Sequence, residues 1–454
     1  MFRGDVCRLA ALAAERGCVC RDGVRVRTLR RAEEGQDRSS VNVLLLNQAF
    51  YPDVVSTAQH LTDLAVELAE RGCAVTVMAG RSAYDNGKCR YPRSERYRGI
   101  QIKRLAYTSL GKKSRLSRAI DVATFNLGIG MRLWFLPKTD VVVSLTSPPL
   151  LALFGALFSL LRGARFIYWV MDLNPDEALA AGWLRKGSPT ERLLEALSRI
   201  VLRASSDVVV LDRFMAQRVQ AKGVSRERIR VLPPWAHDSD IKPVSHENNR
   251  FRKQHGLSDK FVVMYSGNHS PCHPLDTLLE AALLLKAERE IAFVFIGGGT
   301  GVAHVREFVS RHALTNVRQF PYQPRAELSY SLSAADLHVV VMGETFVGIV
   351  HPCKVYGVLC TGRPFVLIGP KNSHVGELIL REGIGYQVEH GDVRGLVEVI
   401  GRVRALRERE RRDTFVASRR LVDKMFSRKV LSPKLADLIV RGSRKRCSKT
   451  DLSP

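Results

Sequence analysis

A short run of carboxylates and one amide follows a strongly apolar segment in the first half of the chain. Asp172, Asn174, Asp176 and Glu177 come directly after residues 165–170, which read as a buried strand. Carboxylates at such a position are costly unless they bind something or take part in chemistry. Asp172 is the best candidate to orient or deprotonate a hydroxyl, or to stabilise developing positive charge. A structural role for Asp172 is an equal alternative, and Asp176 and Glu177 also suit the first turn of a helix.

A second group of candidates, small and basic, follows the strand-like residues 261–265. Gly267, Asn268 and His269 join this strand to a predicted helix. Backbone amides at the start of a helix suit a diphosphate, and a histidine could add a hydrogen bond or simply cap the helix. The next glycine-rich loop, residues 297–301, lacks the spacing of a dinucleotide-binding loop. It predicts either a tight turn or a close approach of the backbone to a ligand.

Lys354 is the most specific candidate because of its place at a predicted helix start. Residues 343–356 read GETFVGIVHPCKVY and place Pro352 near the first turn. The helix dipole disfavours a cation there, so Lys354 indicates an anion such as a phosphate beside it, with a solvated lysine as the alternative. In the first half, Ser56 is predicted to cap the helix that starts at Thr57, or to meet a phosphate at that helix end.

Two alternations of apolar strand and amphipathic helix position these loops, over residues 41–240 and 261–410. Continuous Val, Ile and Leu strands separated by helices predict parallel sheets covered on both faces, an α/β architecture of two doubly wound domains. Ligands bind at the carboxyl edges of such sheets, so we expect the site in a cleft between the two edges. The remaining segments are predicted to be a disordered basic extension, a linker, terminal helices and a basic tail, at residues 1–40, 241–260, 411–441 and 442–454.

Charge and cysteine content limit the partners and the compartment. The 454 residues carry 70 Lys and Arg against 45 Asp and Glu, a net charge of +25 that favours phosphates or an anionic membrane surface. The basic residues are dispersed, so nucleic-acid binding is a weaker alternative. Nine scattered cysteines without zinc-site spacing predict reduced thiols, no bound metal and a cytoplasmic location. No apolar run is long enough to span a membrane, and no signal peptide is expected.

The order of several short motifs resembles that of one enzyme family. Residues 266–268, residues 297–299 and the Pro352-x-Lys354 loop are followed by Thr-Gly-Arg-Pro at 361–364. Together with the two-sheet layout, over residues 41–440, they resemble the bacterial GT-B glycosyltransferases of the retaining, family-four type that build O-antigen, capsule and exopolysaccharide. The resemblance implies two Rossmann-like domains facing a cleft, with the C-terminal helices returning to the first domain. It also implies metal-independent and cofactor-independent transfer from a nucleotide-sugar, most often a UDP-sugar, to a glycan or polyprenyl-diphosphate-linked acceptor.

The same resemblance implies a role for each candidate residue. The diphosphate would lie at Asn268 and Lys354, and the nucleotide base at Tyr322 and Gln323. The catalytic set is Asp172, His351 and Lys354. The acceptor set is Ser56, Thr57, Gln59 and Asn174. The donor set is Gly267, Asn268, His269, Gly298, Gly299, Tyr322, Gln323, Glu344, Phe346, Val347, Gly348 and Ile349.

Some features depart from the family pattern. Many relatives carry two glutamates separated by seven residues before the Thr-Gly-x-Pro turn, and neither matching position, Ile349 or Gly357, is acidic here. Glu344 is displaced from both, and the usual Arg and Lys pair after Gly267 is missing. The candidates to replace these charges are His269, His273, His351 and Lys354.

Two other interpretations keep the fold. A UDP-sugar 2-epimerase shares the architecture, and the missing glutamates also suit a non-catalytic protein that binds a nucleotide or a glycan. The dense polar loops at both sheet edges favour an enzyme. The apolar helix at residues 150–161 and the high positive charge favour a membrane-bound acceptor, so we expect peripheral attachment to the inner face of the plasma membrane.

Overall fold

The computed structural model describes residues 40–83, 89–108, 110 and 115–447, without the side chains of residues 115, 116, 118 and 442–447. The predicted disordered extension, up to residue 39, and residues 448–454 of the predicted basic tail lie outside this part.

The first domain is built on an eight-stranded sheet in the order β3-β4-β2-β1-β5-β6-β7-β8. Its strands are β1 (Asn42–Leu46), β2 (Ala74–Gly80), β3 (Ser94–Tyr97), β4 (Ile100–Leu105), β5 (Val141–Ser144), β6 (Arg165–Trp169), β7 (Asp207–Val210) and β8 (Ile229–Val231). Its helices are α1 (Ser56–Glu70), α2 (Arg115–Leu133), α3 (Leu151–Arg162), α4 (Asp176–Ala180), α5 (Pro189–Ala204) and α6 (Arg213–Ala221). Neighbouring strands pair in parallel except β3, which is antiparallel to β4 at the sheet edge. The sequence did not predict β3, because its Ser-Glu-Arg-Tyr run has no buried residue and so shows no apolar face.

The second domain is built on a six-stranded parallel sheet in the order β11-β10-β9-β12-β13-β14. Its strands are β9 (Phe261–Ser266), β10 (Ile291–Ile296), β11 (Val317–Phe320), β12 (Leu337–Val341), β13 (Phe365–Ile368) and β14 (Tyr386–Val388). Its helices are α7 (Arg250–Gln254), α8 (Asp276–Leu284), α9 (Val302–Arg311), α10 (Leu328–Ser333), α11 (Lys354–Thr361), α12 (His374–Glu382) and α13 (Val393–Arg404). Two terminal helices follow, α14 (Glu408–Leu421) and α15 (Arg428–Cys447).

The central strands and the helices that cover them form because their apolar patterns differ in period. All six residues of β10 are buried, as expected for a strand covered by helices on both faces. In α1, Leu61, Leu64 and Leu68 lie three and four residues apart and are fully buried, so one stripe of the helix packs on the sheet. The two doubly wound parallel-sheet domains predicted from this alternation are therefore confirmed.

The chain passes between the domains twice, and the last helix returns to the first domain as predicted. Ala236, on the first crossing, donates its amide to the carbonyl of Phe426 on the second over 2.7 Å. On α15, Asp437 accepts from Arg71 at the end of α1 over 2.7 Å. Arg165 at the start of β6 donates to the carbonyl of Leu438 over 2.9 Å. The terminal helix therefore closes the first domain.

Three local predictions need correction or addition. Ser56 is the first residue of α1 rather than its cap, because Val55 occupies the cap position and no side chain caps this helix. A short helix, α7, lies within the predicted linker, since Phe251 is buried against the second domain. Helix α13 was not predicted, because glycines interrupt its pattern at two positions. Within the described part of the chain, no helix combines the length and the apolar character that crossing a membrane requires.

Candidate active site

Lys354 opens α11 and points back onto the end of β9. Its Nζ donates to the hydroxyl of Tyr265 over 2.5 Å and approaches the carbonyl of Asn268 at 3.4 Å. The same nitrogen lies 4.4 Å from the centre of the Tyr265 ring. Burial lowers the pKa of Lys354 to about 7, although the nearby thiols of Cys272 and Cys353 act in the opposite direction. An anion bound at this helix start would raise the pKa of Lys354 again, so that the lysine becomes fully charged.

Gly267 makes room for this lysine. Its φ is +147°, and a Cβ at this position would come within 2.2 Å of Lys354 Cε. A side chain here would clash with Lys354, and it would also strain the backbone at this φ. Glycine is therefore required for Lys354 to reach the end of β9.

The two glycine-rich loops of the second domain are hydrogen-bonded to each other. The amide of His269 donates to the carbonyl of Gly298 over 2.7 Å, and the amide of Gly301 donates to the carbonyl of His269 over 2.9 Å. A Cβ on Gly299 would lie 2.3 Å from Asn268 Oδ1. The backbone of residues 297–301 therefore lies close to the other glycine-rich loop, and the predicted approach of this backbone to a ligand stays a prediction.

The two histidines of the first glycine loop are turned into the protein. His269 is buried and its Nδ1 lies 3.1 Å from the carbonyl of Gly267. His273 Nδ1 lies 2.7 Å from the carbonyl of Val341. Burial lowers the pKa of both histidines, and the charge of Lys354 lowers it further. Both rings therefore fit a loop-positioning role as neutral groups.

Tyr322 and Gln323 lie beside the glycine-rich loops. Gly298 packs under the Tyr322 ring, since a Cβ there would be 2.9 Å from Tyr322 Cε2. Tyr322 is 52% exposed, so part of this residue lies at the surface. Gln323 folds back so that its Nε2 donates to the carbonyl of Pro321 over 2.9 Å.

The carboxylates of the first domain lie at the edge that faces Lys354. Burial raises the pKa of Asp172 to about 6, although the charge of His351 lowers it. Burial and the charge of Asp172 raise the pKa of Glu177 to about 7, and Glu177 also hydrogen-bonds Asn174. Burial raises the pKa of the Cys272 thiol, on the opposite domain, to about 12, and the charges of Glu177 and Asp172 raise it in the same direction. The two domains therefore bring the acidic loop and the basic helix start to one place.

A cavity of about 270 Å³ lies between the domains at this point. Ser56 and Gln59 line it from α1, while Ser266, Cys353 and Lys354 line it from the second domain. The Cys353 thiol hydrogen-bonds the Ser56 side chain, so the two walls touch. Thr57 lies half-buried in the same first turn of α1. Two residues predicted for the acceptor, Ser56 and Gln59, thus share one space with Lys354, whereas Asp172, Asn174 and the predicted donor set do not line it.

The loop predicted to face the sugar hydroxyls is fastened to the first domain. The amide of Leu173 donates to the carbonyl of Ile349 over 2.8 Å, and Arg218 Nε donates to the carbonyl of Val347 over 2.8 Å. Gly348 packs against the backbone of Phe214. This loop therefore couples the donor side of the cleft to the acceptor domain.

The side chains of this loop point in two directions. Phe346 and Ile349 are buried in the apolar core, and their backbone amides and carbonyls are hydrogen-bonded within the protein, so these two residues support the loop rather than face a ligand. Glu344 and Val347 line an open groove of about 490 Å³ between the loop and α6.

His351 forms the centre of a buried hydrogen-bonded chain across the domain boundary. Its Nδ1 lies 2.7 Å from Asp212 Oδ2, and its Nε2 lies 2.8 Å from the hydroxyl of Tyr356. That hydroxyl lies 3.2 Å from Nε2 of His374. Asp212 also caps α6 by accepting from the amide of Met215 over 2.8 Å. Both ring nitrogens of His351 are therefore engaged within the protein, and the residue fits a positioning role rather than contact with a substrate.

Three residues of this hydrogen-bonded network have the spacing of metal ligands. Among the residues that the structure describes, Asp212, His351 and His374 place ligand atoms within 4.8 Å of one another. A metal ion would have to replace the short contacts of His351 with Asp212 and Tyr356. The donor set therefore fits hydrogen bonding better than coordination.

The sequence did not single out Asp212, Tyr265 or Tyr356. Tyr265 and Tyr356 read as core aromatic residues, and both are almost fully buried. Asp212 reads as a helix cap, which it is, and only the folded chain brings it to His351. The position of Asp212, directly after a buried apolar segment, could have marked it as a candidate site residue.

Comparison with known proteins agrees with this geometry. Residues 57–235 match the family described as Glycosyl transferase 4-like domain. The chain is 28% identical over 266 residues to the probable glycosyltransferase WbjE of Pseudomonas aeruginosa, covering 59% of this chain and 66% of that protein. It is 25% identical over 374 residues to WcaI of Escherichia coli strain K12, named as a colanic acid biosynthesis glycosyl transferase, covering 79% and 90% of the two chains.

Solved structures share the fold. Anabaena HepE, crystallised with UDP and glucose, superposes with a TM-score of 0.65 at 15% identity, covering 88% of this chain and 99% of its own. The first-domain match, the two glycosyltransferase relatives and the two facing parallel sheets agree with the motif order in the sequence. These findings identify the chain as a glycosyltransferase with the GT-B fold, whose residues 57–235 match a Glycosyl transferase 4-like domain.

Proposed function

We propose that the protein transfers a sugar from a UDP-sugar to a lipid-linked glycan acceptor, with retention at the anomeric carbon, in the synthesis of a cell-surface polysaccharide. The observation that carries this proposal is the cavity in which Ser56 and Gln59 of one domain face Lys354 of the other. HepE binds UDP and glucose on the same fold, and the name of WcaI assigns it to colanic acid synthesis.

Lys354 and the start of α11 would stabilise the leaving diphosphate. As the bond between the anomeric carbon and the diphosphate oxygen breaks, negative charge grows on that oxygen. The Nζ of Lys354 lies at this strand end, 3.4 Å from the carbonyl of Asn268, and would meet this charge. This arrangement would provide the charge that a metal ion provides elsewhere, so no cofactor is required. Tyr322 would stack on the uracil, beside Gln323.

Asp172 would act on the acceptor. Its carboxylate would hold the acceptor hydroxyl while the departing diphosphate oxygen takes the proton, or would take that proton itself, as the acceptor oxygen bonds to the anomeric carbon. Because burial raises its pKa to about 6, Asp172 is a stronger base than an exposed aspartate and is still mostly ionised at neutral pH. Asn174 and Glu177 would orient the acceptor sugar beside it.

An apolar surface on the first domain fits attachment to a membrane. The neighbouring helices α2, α3 and α5, with the turn after α2, expose large apolar side chains, and Leu160 is 80% exposed. We call this surface the apolar face: Leu127, Met131, Trp134, Phe135, Leu157, Leu160, Leu161, Leu193 and Ile200. The exposed cations Arg132, Lys138 and Arg162 adjoin it. Such a surface suits peripheral binding to anionic lipid on the inner face of the plasma membrane.

A transfer assay tests the proposed function. Purified protein is incubated with a panel of UDP-sugars and a detergent extract of bacterial lipid-linked glycans, and UDP release and glycolipid product are measured. We expect one UDP-sugar to give product with the anomeric configuration of the donor, and Lys354→Met to lower its formation at least about 100-fold. Inverted product would refute retention, and equal product from the variant would remove Lys354 from the site.

Liposome sedimentation tests the membrane part separately. We expect binding to vesicles with phosphatidylglycerol at low salt, and weaker binding by a Phe135→Ser, Leu160→Ser double variant. Absence of binding by the wild-type protein would refute the attachment while leaving the transfer reaction standing.

A non-catalytic function has one observation in its favour. Neither Ile349 nor Gly357 supplies the carboxylates that many relatives carry, and Gly357 lines the cavity instead. Such a protein would bind UDP without forming product in the transfer assay with any donor.

A further inference from the structure

A narrow apolar groove runs through the first domain beside the candidate carboxylates. It has a volume of about 130 Å³ and lies between α3, α4 and α5. Its wall is mainly apolar and includes Leu150, Ala152, Ala178, Leu194 and Leu197. Neither α1 nor the second domain contributes to it, so it is separate from the cavity at Lys354.

One end of the groove reaches the loop that carries Asp172 and Asn174. Thr146 and Asn174 line this end. Thr146 Oγ1 accepts from the amide of Asp172 over 3.4 Å, and the Asn174 side chain hydrogen-bonds Glu177. A molecule in the groove would therefore end beside the two carboxylates.

The wall residues also continue onto the apolar face. Leu150 lines the groove and is 37% exposed, and Leu194 of the wall follows the exposed Leu193 on α5. Helix α3, whose first turn supplies Ala152, carries no charged residue before Arg162 and exposes Leu157 and Leu160. Apolar side chains of α3 and α5 thus lie both in the wall of the groove and on the exposed apolar face.

Basic residues stand near this side of the groove. Arg185 and Lys186 follow the turn in which the amides of Trp183 and Leu184 both donate to the carbonyl of Ala178. Arg192 lies two residues before Leu194. All three are exposed, and none forms an ion pair within the part of the chain that the structure describes. They complement the phosphates of an anionic lipid surface.

We propose that this groove binds the part of the acceptor's hydrocarbon chain nearest its polar head, drawn from the bilayer, and so selects a lipid-linked acceptor over a free glycan. The proposal rests on the proposed function, because it assigns one more part of the same acceptor. Each CH₂ buried in an apolar site strengthens binding about fourfold, so two or three carbons in the groove suffice for a tenfold preference.

Farnesyl diphosphate, a soluble isoprenoid, is a direct probe. Its affinity is compared with that of dimethylallyl diphosphate by calorimetry in saturating UDP, which keeps the diphosphates from the Lys354 site. We expect farnesyl diphosphate to bind at least tenfold more tightly. Ala178→Phe, which fills the groove, should remove this preference, whereas the control Leu160→Ser, on the apolar face outside the groove, should keep it within twofold.

Three outcomes separate the possibilities. Equal affinity for the two diphosphates in a wild-type protein that UDP still stabilises would overturn the groove and leave the proposed function standing. A preference lost equally in Leu160→Ser would assign the chain to the apolar face and also overturn the groove. If Ala178→Phe no longer responds to UDP it is misfolded, and Leu194→Asn is then used in its place, with the same loss of preference expected.

Discussion

Binding of UDP should load a proton onto Lys354. In the unliganded protein burial lowers the pKa of Lys354 to about 7, so at pH 8 only about a tenth of the molecules carry this charge. A diphosphate beside Nζ stabilises the charged form and should return the pKa towards its ordinary value of 10.5. Each protein molecule should then take up about 0.9 proton on binding at pH 8, and about 0.1 at pH 6.

Calorimetry measures this number directly. UDP is titrated into the protein at pH 8 in buffers with different ionisation enthalpies, and the slope of the observed heat against that enthalpy gives the protons exchanged. The terminal phosphate of UDP, with a second pKa of about 6, is already deprotonated at pH 8 and contributes little. Lys354→Met should abolish the uptake, and the matched control Lys286→Met, at an exposed lysine after α8, should retain it. Uptake near zero in the wild-type protein, or unchanged uptake in Lys354→Met, would refute the reasoning.

The remaining predictions concern stability, pH dependence and positioning. Because the pKa of Lys354 is lower in the folded protein, the unfolded chain binds more protons between about pH 7 and 10.5. Burial of the charged lysine therefore lowers the free energy of unfolding by up to about 4 kcal/mol at pH 7, and this cost fades as pH rises. Lys354→Met should raise the free energy of urea unfolding by about 1–3 kcal/mol at pH 7 and by less at pH 10, and no gain at pH 7 would contradict the burial of this lysine. Wild-type kcat/KM should rise with pH through about 6 as Asp172 loses its proton, while Asp172→Asn, checked for folding by circular dichroism, should lose at least about 100-fold; full activity would exclude the carboxylate. Asp212→Asn should lower the free energy of unfolding by about 2–4 kcal/mol, because it disrupts the buried pair with His351. Tyr356→Phe should lower the free energy of unfolding by about 1 kcal/mol, and it should lower kcat more than it raises the donor KM. A normal kcat in both variants would argue against positioning by these hydrogen bonds.

The sequence was sufficient for the architecture because period and burial agree in most elements. The strand β10 and the helix α1 could be recognised from their apolar residues alone. The edge strand β3 and the helix α13 could not, because exposure in one and glycines in the other weaken the pattern. The cap predicted at Ser56 was wrong because a serine within one residue of a helix start looks the same in sequence whether it caps or begins the helix.

The site could be predicted only in its separate parts. Lys354 stood out because a cation at a helix start is unusual, and Asp172 because it follows a buried strand. The contact of Lys354 with Tyr265 and the pairing of His351 with Asp212 join residues 89 and 139 positions apart, respectively, in the sequence. No local pattern reports such distances, so His351 was predicted to be catalytic although both of its ring nitrogens are held within the protein.

The most direct test of the central claim is a thermal-shift screen of the unliganded protein against UDP, GDP, ADP, dTDP, CMP and NAD. A nucleotide at 100 times its Kd adds about 2.7 kcal/mol to the free energy of unfolding, a shift in Tm of a few degrees. We predict that UDP gives the largest rise in Tm and that Lys354→Met reduces it. No rise with any nucleoside diphosphate, or a rise with NAD alone, would contradict a UDP-sugar site between the two domains.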